Sequence, residues 1–413
     1  MTNAHYKGTP MINPLRGMKD LTFDESARFV HIITTAIDVS KKYGYSYIET
    51  PILEETTLFR RSVGESSDIV GKEMYQFIDK GGNDVCMRPE GTAGIVRAFV
   101  SAKLDRQPTK QKFYYYGPMF RYERPQKGRL REFHQFGCES FGESSVYEDF
   151  TIISMVAQIF DELGINYAVQ INSLGCTTCM PTYRENLVSF LTNIKDELCE
   201  DCNRRIESNP IRVLDCKNRT CQTLLQTSPK LLNNLCQECN SDFSKLKKLL
   251  DDVDIGYKVD TNLVRGLDYY NKTAFEFISN DIGSQSAIAG GGRYDKLVEY
   301  LDGRPTPAVG FAMGIERMME LVQMPELSRK GLYLGAMTDE AIDSLLPIAK
   351  NKRLTKTVTL EYQAKKLKAH LKAADKAGAK VAAIIGEDEF ANGTIWVKDL
   401  ESKAEYTVSI EEF

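Results

Sequence analysis

Two apolar stretches enclose a run of charge. Phe113-Tyr114-Tyr115-Tyr116 lies on one side, Phe133, Gln135 and Gly137 on the other, and five cations (Arg121, Arg124, Lys127, Arg129, Arg131) fall between residues 121 and 131. The flanks read as strands, and Pro125 and Gly128 hinge the segment between them, so the chain is expected to fold back as a hairpin with a cationic loop. A solvated surface hairpin explains the charge alone. It leaves unexplained the alternation of Arg with aromatic residues from Phe120 to Phe133, which suits a phosphate-rich partner.

A chain of 413 residues is too long for one ordinary core, so two or three domains are expected. With 42% hydrophobic and 27% charged residues the composition is that of a globular protein. No apolar run reaches the ~20 residues needed to span a bilayer, and the N-terminus lacks the apolar segment of a signal peptide, so a cytoplasmic protein with no membrane partner is expected. Residues 1–10 read as a disordered leader, with Met11 a candidate start. A net charge of −4 excludes a chain that coats nucleic acid, but not one that grips it locally. Between Lys350 and Lys380 ten Lys or Arg face only Glu361 and Asp375.

Strand-like runs at Tyr45–Ile48, Lys112–Tyr116, Gln135–Phe141, Tyr167–Ile171, Ile255–Val259, Thr273–Ile278 and Ala308–Phe311 are interrupted by helices, which predicts an α+β fold with a largely antiparallel sheet. Thr22 and Glu25 form a capping-box pattern ahead of a helix that turns Val30, Ile33, Ile37 and Val39 to a core and stops at Gly44. The organisation expected is a main domain in two parts, 11–171 and 251–325, a Cys-rich helical insertion at 172–250, and an α/β domain at 331–413 carrying the basic patch.

Four further stretches are dense in chemistry. Arg88-Pro89-Glu90-Gly91-Thr92 puts a carboxylate and a hydroxyl two apart on a turn. Leu263 to Tyr270 joins Arg265, Asp268 and two phenols in a Gly-hinged loop. Ala289 to Asp295 offers backbone free of side chains where a ligand can come close. Gly310 to Arg317 reads as strand, turn and helix, with Arg317 in the first helical turn, where a cation opposes the macrodipole unless an anion neutralises it.

Taken in this order, these segments make the chain resemble the histidyl-tRNA synthetases, class II aminoacyl-tRNA synthetases, from Gly17 to the C-terminus. Phe120 to Arg129 resembles motif 2, Gly310 to Arg317 motif 3, and Arg265 to Tyr270 and Gly291 to Asp295 the two histidine-specific signatures. The resemblance implies a class II antiparallel sheet, a C-terminal anticodon-binding domain, and ligation of L-histidine to tRNA(His) through a histidyl-adenylate, with ATP and Mg. It implies that Arg121 and Arg265 carry catalysis at the α-phosphate. ATP would be bound by Arg121, Glu123, Arg129, Phe133 (stacked on adenine) and Arg317 (at the β/γ-phosphates). Histidine would be held by Glu90, Gly91, Thr92, Arg121, Gln135, Glu139, Arg265, Tyr269, Tyr270 and Tyr294, with Glu139 and Tyr270 on the imidazole nitrogens. Gln126 and Arg131 would meet the tRNA acceptor end. The first helix and Tyr45 to Arg61 resemble motif 1, which implies a homodimer. The chain departs from the family pattern at 350–365, where Tyr362-Gln363-Ala364 replaces a Gly-Arg-Ser type stretch, so the anticodon contacts stay open.

The ten cysteines include three C-x-x-C pairs, Cys176/Cys179, Cys199/Cys202 and Cys236/Cys239, with Cys216 and Cys221 between them. Two readings stand: a structural zinc site, for which Cys199, Cys202, Cys236 and Cys239 are the candidate ligands, or reduced, partly buried thiols. Cys86 and Cys138 read as core filler. The rival for the whole chain is a non-catalytic paralogue that activates ATP phosphoribosyltransferase. Such paralogues usually lose catalytic arginines and the C-terminal domain, both kept here. A zinc-dependent nucleic-acid-binding module leaves the nucleotide and histidine motifs unexplained.

Overall fold

The computed structural model describes residues 12–64, 67, 69–216, 218–264, 267–282, 287–325 and 328–413, with the side chain of 215 left aside. The proposed leader, residues 1–10, and Arg265 lie outside the described residues. The chain forms two compact units, residues 1–324 and 325–413.

In the first unit the strands are β1 (Ser46–Tyr47), β2 (Leu53–Glu55), β3 (Gln76–Ile78), β4 (Asp84–Met87), β5 (Gln111–Phe120), β6 (Glu132–Phe141), β7 (Ala168–Ser173), β8 (Tyr257–Val259), β9 (Asn271–Ile278), β10 (Ala287–Arg293) and β11 (Ala308–Gly314). Eight of them make one sheet in the order β1-β5-β6-β11-β10-β9-β7-β8. The six central strands pair antiparallel, and β1 and β8 add parallel edges. A small antiparallel sheet, β2-β4-β3, stands beside it.

Strand periodicity decides where the site is. Side chains alternate faces along a strand. Phe136 and Cys138 of β6, Val309, Phe311 and Met313 of β11, Phe275 and Phe277 of β9, and Val169 and Ile171 of β7 pack in one core beneath the helices Phe23–Lys42 and Val146–Glu162. The alternate residues share the opposite face. Register aligns Gly137, Ala312, Gly290, Glu276 and Gln170 in one row across five strands. Small residues in the middle of that row leave an open floor.

Two local expectations change. Thr22 does precede the first helix, but no capping box forms: its side chain makes no cap bond, and the Glu25 carboxylate accepts from Lys19 Nζ at 2.7 Å instead. On that helix Val30 is 57% exposed, whereas Ile32 and Ala36 are buried beside Ile33 and Val39. The insertion is helical: Met180–Asn193, Glu200–Ser208 and Arg219–Leu224 gather on a core of its own around Tyr183, Leu187, Leu191, Val213 and Leu225, while Gln237–Asp251 turns Phe243, Leu246 and Leu250 into the main core.

The second unit has the strands β12 (Leu332–Ala336), β13 (Val358–Leu360), β14 (Val381–Ile385), β15 (Thr394–Asp399) and β16 (Glu405–Ser409), in the order β13-β12-β14-β15-β16. The first three are parallel and the last two add antiparallel. Its helix Leu367–Lys376 buries His370 and Ala374 and leaves Lys368, Lys372 and Lys376 exposed. No helix among the described residues is long and apolar enough to cross a membrane.

Candidate active site

The cationic run is a tight turn between β5 and β6. Gln126 and Arg129 exchange backbone hydrogen bonds of 3.0 and 2.9 Å, and Gly128 takes φ +69°, which a side chain disfavours. At its base Arg121 Nε donates to the Pro89 carbonyl at 2.9 Å, and its guanidinium lies 5.1 Å from the Phe133 ring centre. Arg129 forms an ion pair with Glu123. From the far wall Arg317 donates through Nε to the Gly128 carbonyl at 3.0 Å and through Nη1 to Ala287.

Arg121, Arg129 and Arg317 line one cavity of about 990 Å³. Burial is the main cause that holds the Arg317 guanidinium below its ordinary pKa, and Arg129 and Arg121 push it further down. Burial also lowers Arg121, against the pull of Glu73 and Glu90, and Arg129 adds repulsion. Mutual repulsion of this kind is relieved by a multiply charged anion.

At the other end of the cavity stand Glu90, Thr92, Gln135, Tyr269 and Tyr270. Glu90 caps the helix Thr92–Ser101, its carboxylate accepting from the backbone N–H of Thr92 at 2.8 Å and of Ala93 at 2.9 Å. Burial raises its pKa, while those two N–H groups and Arg121 pull the other way. Gln135 Oε1 and Tyr269 Oη are buried with no hydrogen-bond partner among the described residues. Buried polar atoms are rarely left so, and these two line a cavity where a polar ligand can complete them.

Glu139 and Tyr294 sit beneath this wall and do not line the cavity. Glu139 is fully buried; it accepts from Thr92 Oγ1 at 2.7 Å, from Tyr115 Oη at 3.3 Å and from Tyr294 Oη. Burial pushes its carboxyl up to about 8 against those three donors. Gly310, opposite it on β11, makes the room, because a Cβ there would overlap the carboxylate. Gly91 likewise lies against the Tyr115 ring, where a Cβ would collide. Glu139 thus supports Thr92 from below.

Of the two acceptor-loop candidates, Gln126 is exposed on the turn. Arg131 is half-buried, with its guanidinium 3.8 Å from the Tyr122 ring centre and Nε donating to the Glu123 carbonyl at 3.1 Å. Sequence reasoning missed Gln170, Glu276, Asn262 and Glu316, all on the cavity wall. The signal for the first two was present: Gln170 stands between Val169 and Ile171, and Glu276 between Phe275 and Phe277, each a polar residue flanked by apolar ones on its strand. Glu316 is held by His134, which gives it a backbone N–H at 2.9 Å and an Nδ1 contact at 2.7 Å.

The cysteines correct the ligand set expected for zinc. Cys199, Cys202, Cys236 and Cys239 do not meet. Cys176, Cys179, Cys236 and Cys239 form one group, and Cys199, Cys202, Cys216 and Cys221 another, each arranged so that it could hold a metal ion. Cys86 and Cys138 are single buried thiols, both raised above the ordinary range by burial.

The sequence itself points the same way. A family model described as histidyl-tRNA synthetase matches residues 17–182 and 203–318, and an anticodon binding domain model matches 350–413. The histidine–tRNA ligase of Sulfurovum sp. (strain NBC37-1) is 73% identical over 402 residues, 97% of this chain and all of that protein. That of Sulfurimonas denitrificans is 65% identical, covering 98% of this chain and all of its own. The apo crystal structure of the S. aureus histidyl-tRNA synthetase superposes with a TM-score of 0.81 at 33% identity, covering 98% of this chain and all of the other. With the family model spanning both strands of the cationic hairpin and the helix that carries Arg317, the chain belongs to the histidyl-tRNA synthetase family.

Proposed function

We propose that this cavity joins L-histidine to tRNA(His) in two steps, using MgATP as substrate. A histidine carboxylate oxygen attacks the α-phosphorus, the bond to the bridging oxygen breaks, and magnesium pyrophosphate leaves. A ribose hydroxyl of the tRNA terminal adenosine then attacks the histidyl carbonyl carbon and AMP leaves. Both steps need position and fixed positive charge more than covalent help.

The observation that carries this reading is the convergence of Arg121, Arg129 and Arg317 on one cavity. In the proposal Arg121 meets the α-phosphate and Arg317, with Arg129, the β- and γ-phosphates of a bent nucleotide. Phe133, already under Arg121, offers adenine a face, and Glu123 fixes the nucleotide. Gln135 and Tyr269 give their unpaired atoms to histidine, and Glu90 lies where its ammonium group would come. Tyr270 reaches an imidazole nitrogen. Glu139 and Tyr294 act through Thr92, and Gly91 sets the depth of that wall. Arg265 adds a second guanidinium at the α-phosphate. Gln126 meets the acceptor end, with Arg131 shaping the turn behind it. A site that must pair both imidazole nitrogens rejects analogues lacking them by about 10⁴ or more.

In the second unit, Tyr362 is 67% exposed and stands near Lys366 and Lys368 in the chain, a pairing suited to stacking and phosphate contact with unpaired anticodon bases. A C2 homodimer in the cytoplasm completes the proposal. It is supported by the exposed apolar side chains Tyr47, Leu53, Phe77 and Ile78 on β1, β2 and β3, of which Ile78 is 66% exposed.

The test is charging of tRNA(His) with radiolabelled histidine. Acid-stable labelling of that tRNA in the presence of MgATP, and of no other tRNA, is expected. Folded protein that leaves tRNA(His) unlabelled would overturn the reading.

A further inference from the structure

We propose that the insertion carries two structural Zn²⁺ centres, one on Cys176, Cys179, Cys236 and Cys239 and the other on Cys199, Cys202, Cys216 and Cys221. This does not depend on the catalytic reading above.

Eight of the ten cysteines fall in these two groups, and within each group all sulfurs lie within 4.8 Å of one another. A tetrahedral zinc with Zn–S bonds of ~2.3 Å has sulfur–sulfur edges of about 3.8 Å. Three such edges are 3.7 Å (Cys176–Cys179), 3.8 Å (Cys176–Cys236) and 3.8 Å (Cys199–Cys216). Disulfides would instead gather the sulfurs into bonded pairs at ~2.05 Å.

The backbone around the sulfurs is arranged for thiolates. Cys236 N–H points at Cys179 Sγ (3.2 Å), Cys199 N–H at Cys221 Sγ (3.3 Å) and Asn218 N–H at Cys216 Sγ (3.4 Å). Such donors orient metal-bound sulfurs and spread their charge. Cys179, Cys199 and Cys236 each immediately precede a helix: Met180–Asn193, Glu200–Ser208 and Gln237–Asp251. Neither group includes a histidine or carboxylate, and an all-thiolate set selects a soft, tetrahedral ion such as Zn²⁺ over Mg²⁺ or Ca²⁺. As Zn²⁺ binds, the four thiols of each group release their protons to solvent.

The two groups are nested in the chain, and each closes a different part of it. The first joins the segment just after β7 to the start of Gln237–Asp251, so it ties the entry of the insertion to its last helix. The second lies within, and Cys216, with Leu214, Gln222 and Leu225, lines the cavity. A segment of about 80 residues can bury only a small core, and metal staples commonly supplement one of that size. On this account the second centre holds the cavity wall that the insertion supplies.

The test is zinc content by mass spectrometry on full-length protein purified without chelator from zinc-replete medium. Two zinc per chain are expected, with an X-ray absorption edge fitted by four sulfurs at ~2.3 Å. Cys239→Ser and Cys202→Ser should each leave one zinc. Should either variant be insoluble, mercurial titration of the wild type reads the same number, releasing two zinc as eight thiolates react. Zinc below about 0.2 per chain would overturn the proposal. So would iron in its place, or a single zinc affected by only one of the two variants.

Discussion

Arg317 Nε donates to the carbonyl oxygen of Gly128 across 3.0 Å, so the strand–helix corner at 314–315 and the cationic turn 125–129 are clamped by the same side chain that faces the cavity. The clamp holds Arg317 close to Arg129 and Arg121 despite their repulsion. A site built this way should be strained when empty and relaxed by polyphosphate. Arg317→Ala should lower kcat/KM for ATP by about 10²–10³, the range for losing one preorganised charge donor. Arg317→Lys should recover little, because one ammonium cannot reach both Gly128 and the phosphates. Steady-state exchange kinetics against ATP concentration measure this.

Glu139 gives a pH signature. Its carboxyl is pushed from an ordinary 4.5 up to about 8 by burial, so between those values the folded chain holds a proton that the unfolded chain has lost. Stability from this group is therefore full below about pH 4.5 and falls as pH rises through about 8. Glu139→Gln keeps the shape and removes the titration. Its melting temperature should depend less steeply on pH than that of wild type between pH 5 and 8. Parallel slopes in thermal scans would contradict the account.

Gly310→Ala should be destabilising by about 1–3 kcal/mol, because the added methyl meets the Glu139 carboxylate and the Cys138 carbonyl, 2.6 Å from the new Cβ position. Displacing Glu139 also loosens Thr92, so KM for histidine should rise while KM for ATP holds. Denaturant titration and separate substrate kinetics resolve the two effects.

Arg293, in the second histidine-specific signature, acts structurally. It is 1% exposed and forms an ion pair with Asp149, with Nε hydrogen bonds of 3.1 and 3.2 Å to the two carboxylate oxygens. Arg293→Ala should cost about 3–5 kcal/mol by leaving Asp149 charged and unpaired. The double variant with Asp149→Ala should lose less than the sum of the two single changes, read by chemical denaturation.

The apolar edge of the small sheet bears on assembly. Ile78→Glu with Phe77→Glu should shift the protein to monomer in sedimentation velocity at micromolar concentration. Wild type that sediments as a monomer would remove the dimer.

The antiparallel sheet and the motif 2 hairpin were legible because alternation and residue type both survive in one dimension: Phe133, Gln135 and Glu139 share a face by spacing alone. Depth is not written in spacing. Glu139 lies below Thr92 because Gly310, some 170 residues away, leaves room for it, and only the register of β6 with β11 brings the two together. The β10 glycines showed a place for close approach, but not that they form a mid-sheet strand. Cysteine pairing was illegible for the same reason. Sequence order suggests consecutive C-x-x-C pairs as partners, whereas the fold joins the first pair to the last and encloses the middle one.

The central claim is that this cavity makes histidyl-adenylate, and histidine-dependent ATP–pyrophosphate exchange tests it most directly. Wild type should exchange with histidine and with none of the other amino acids, and Arg121→Ala should lose the exchange by orders of magnitude while remaining folded. Folded wild type that shows no exchange with histidine would contradict the account and favour the regulatory paralogue.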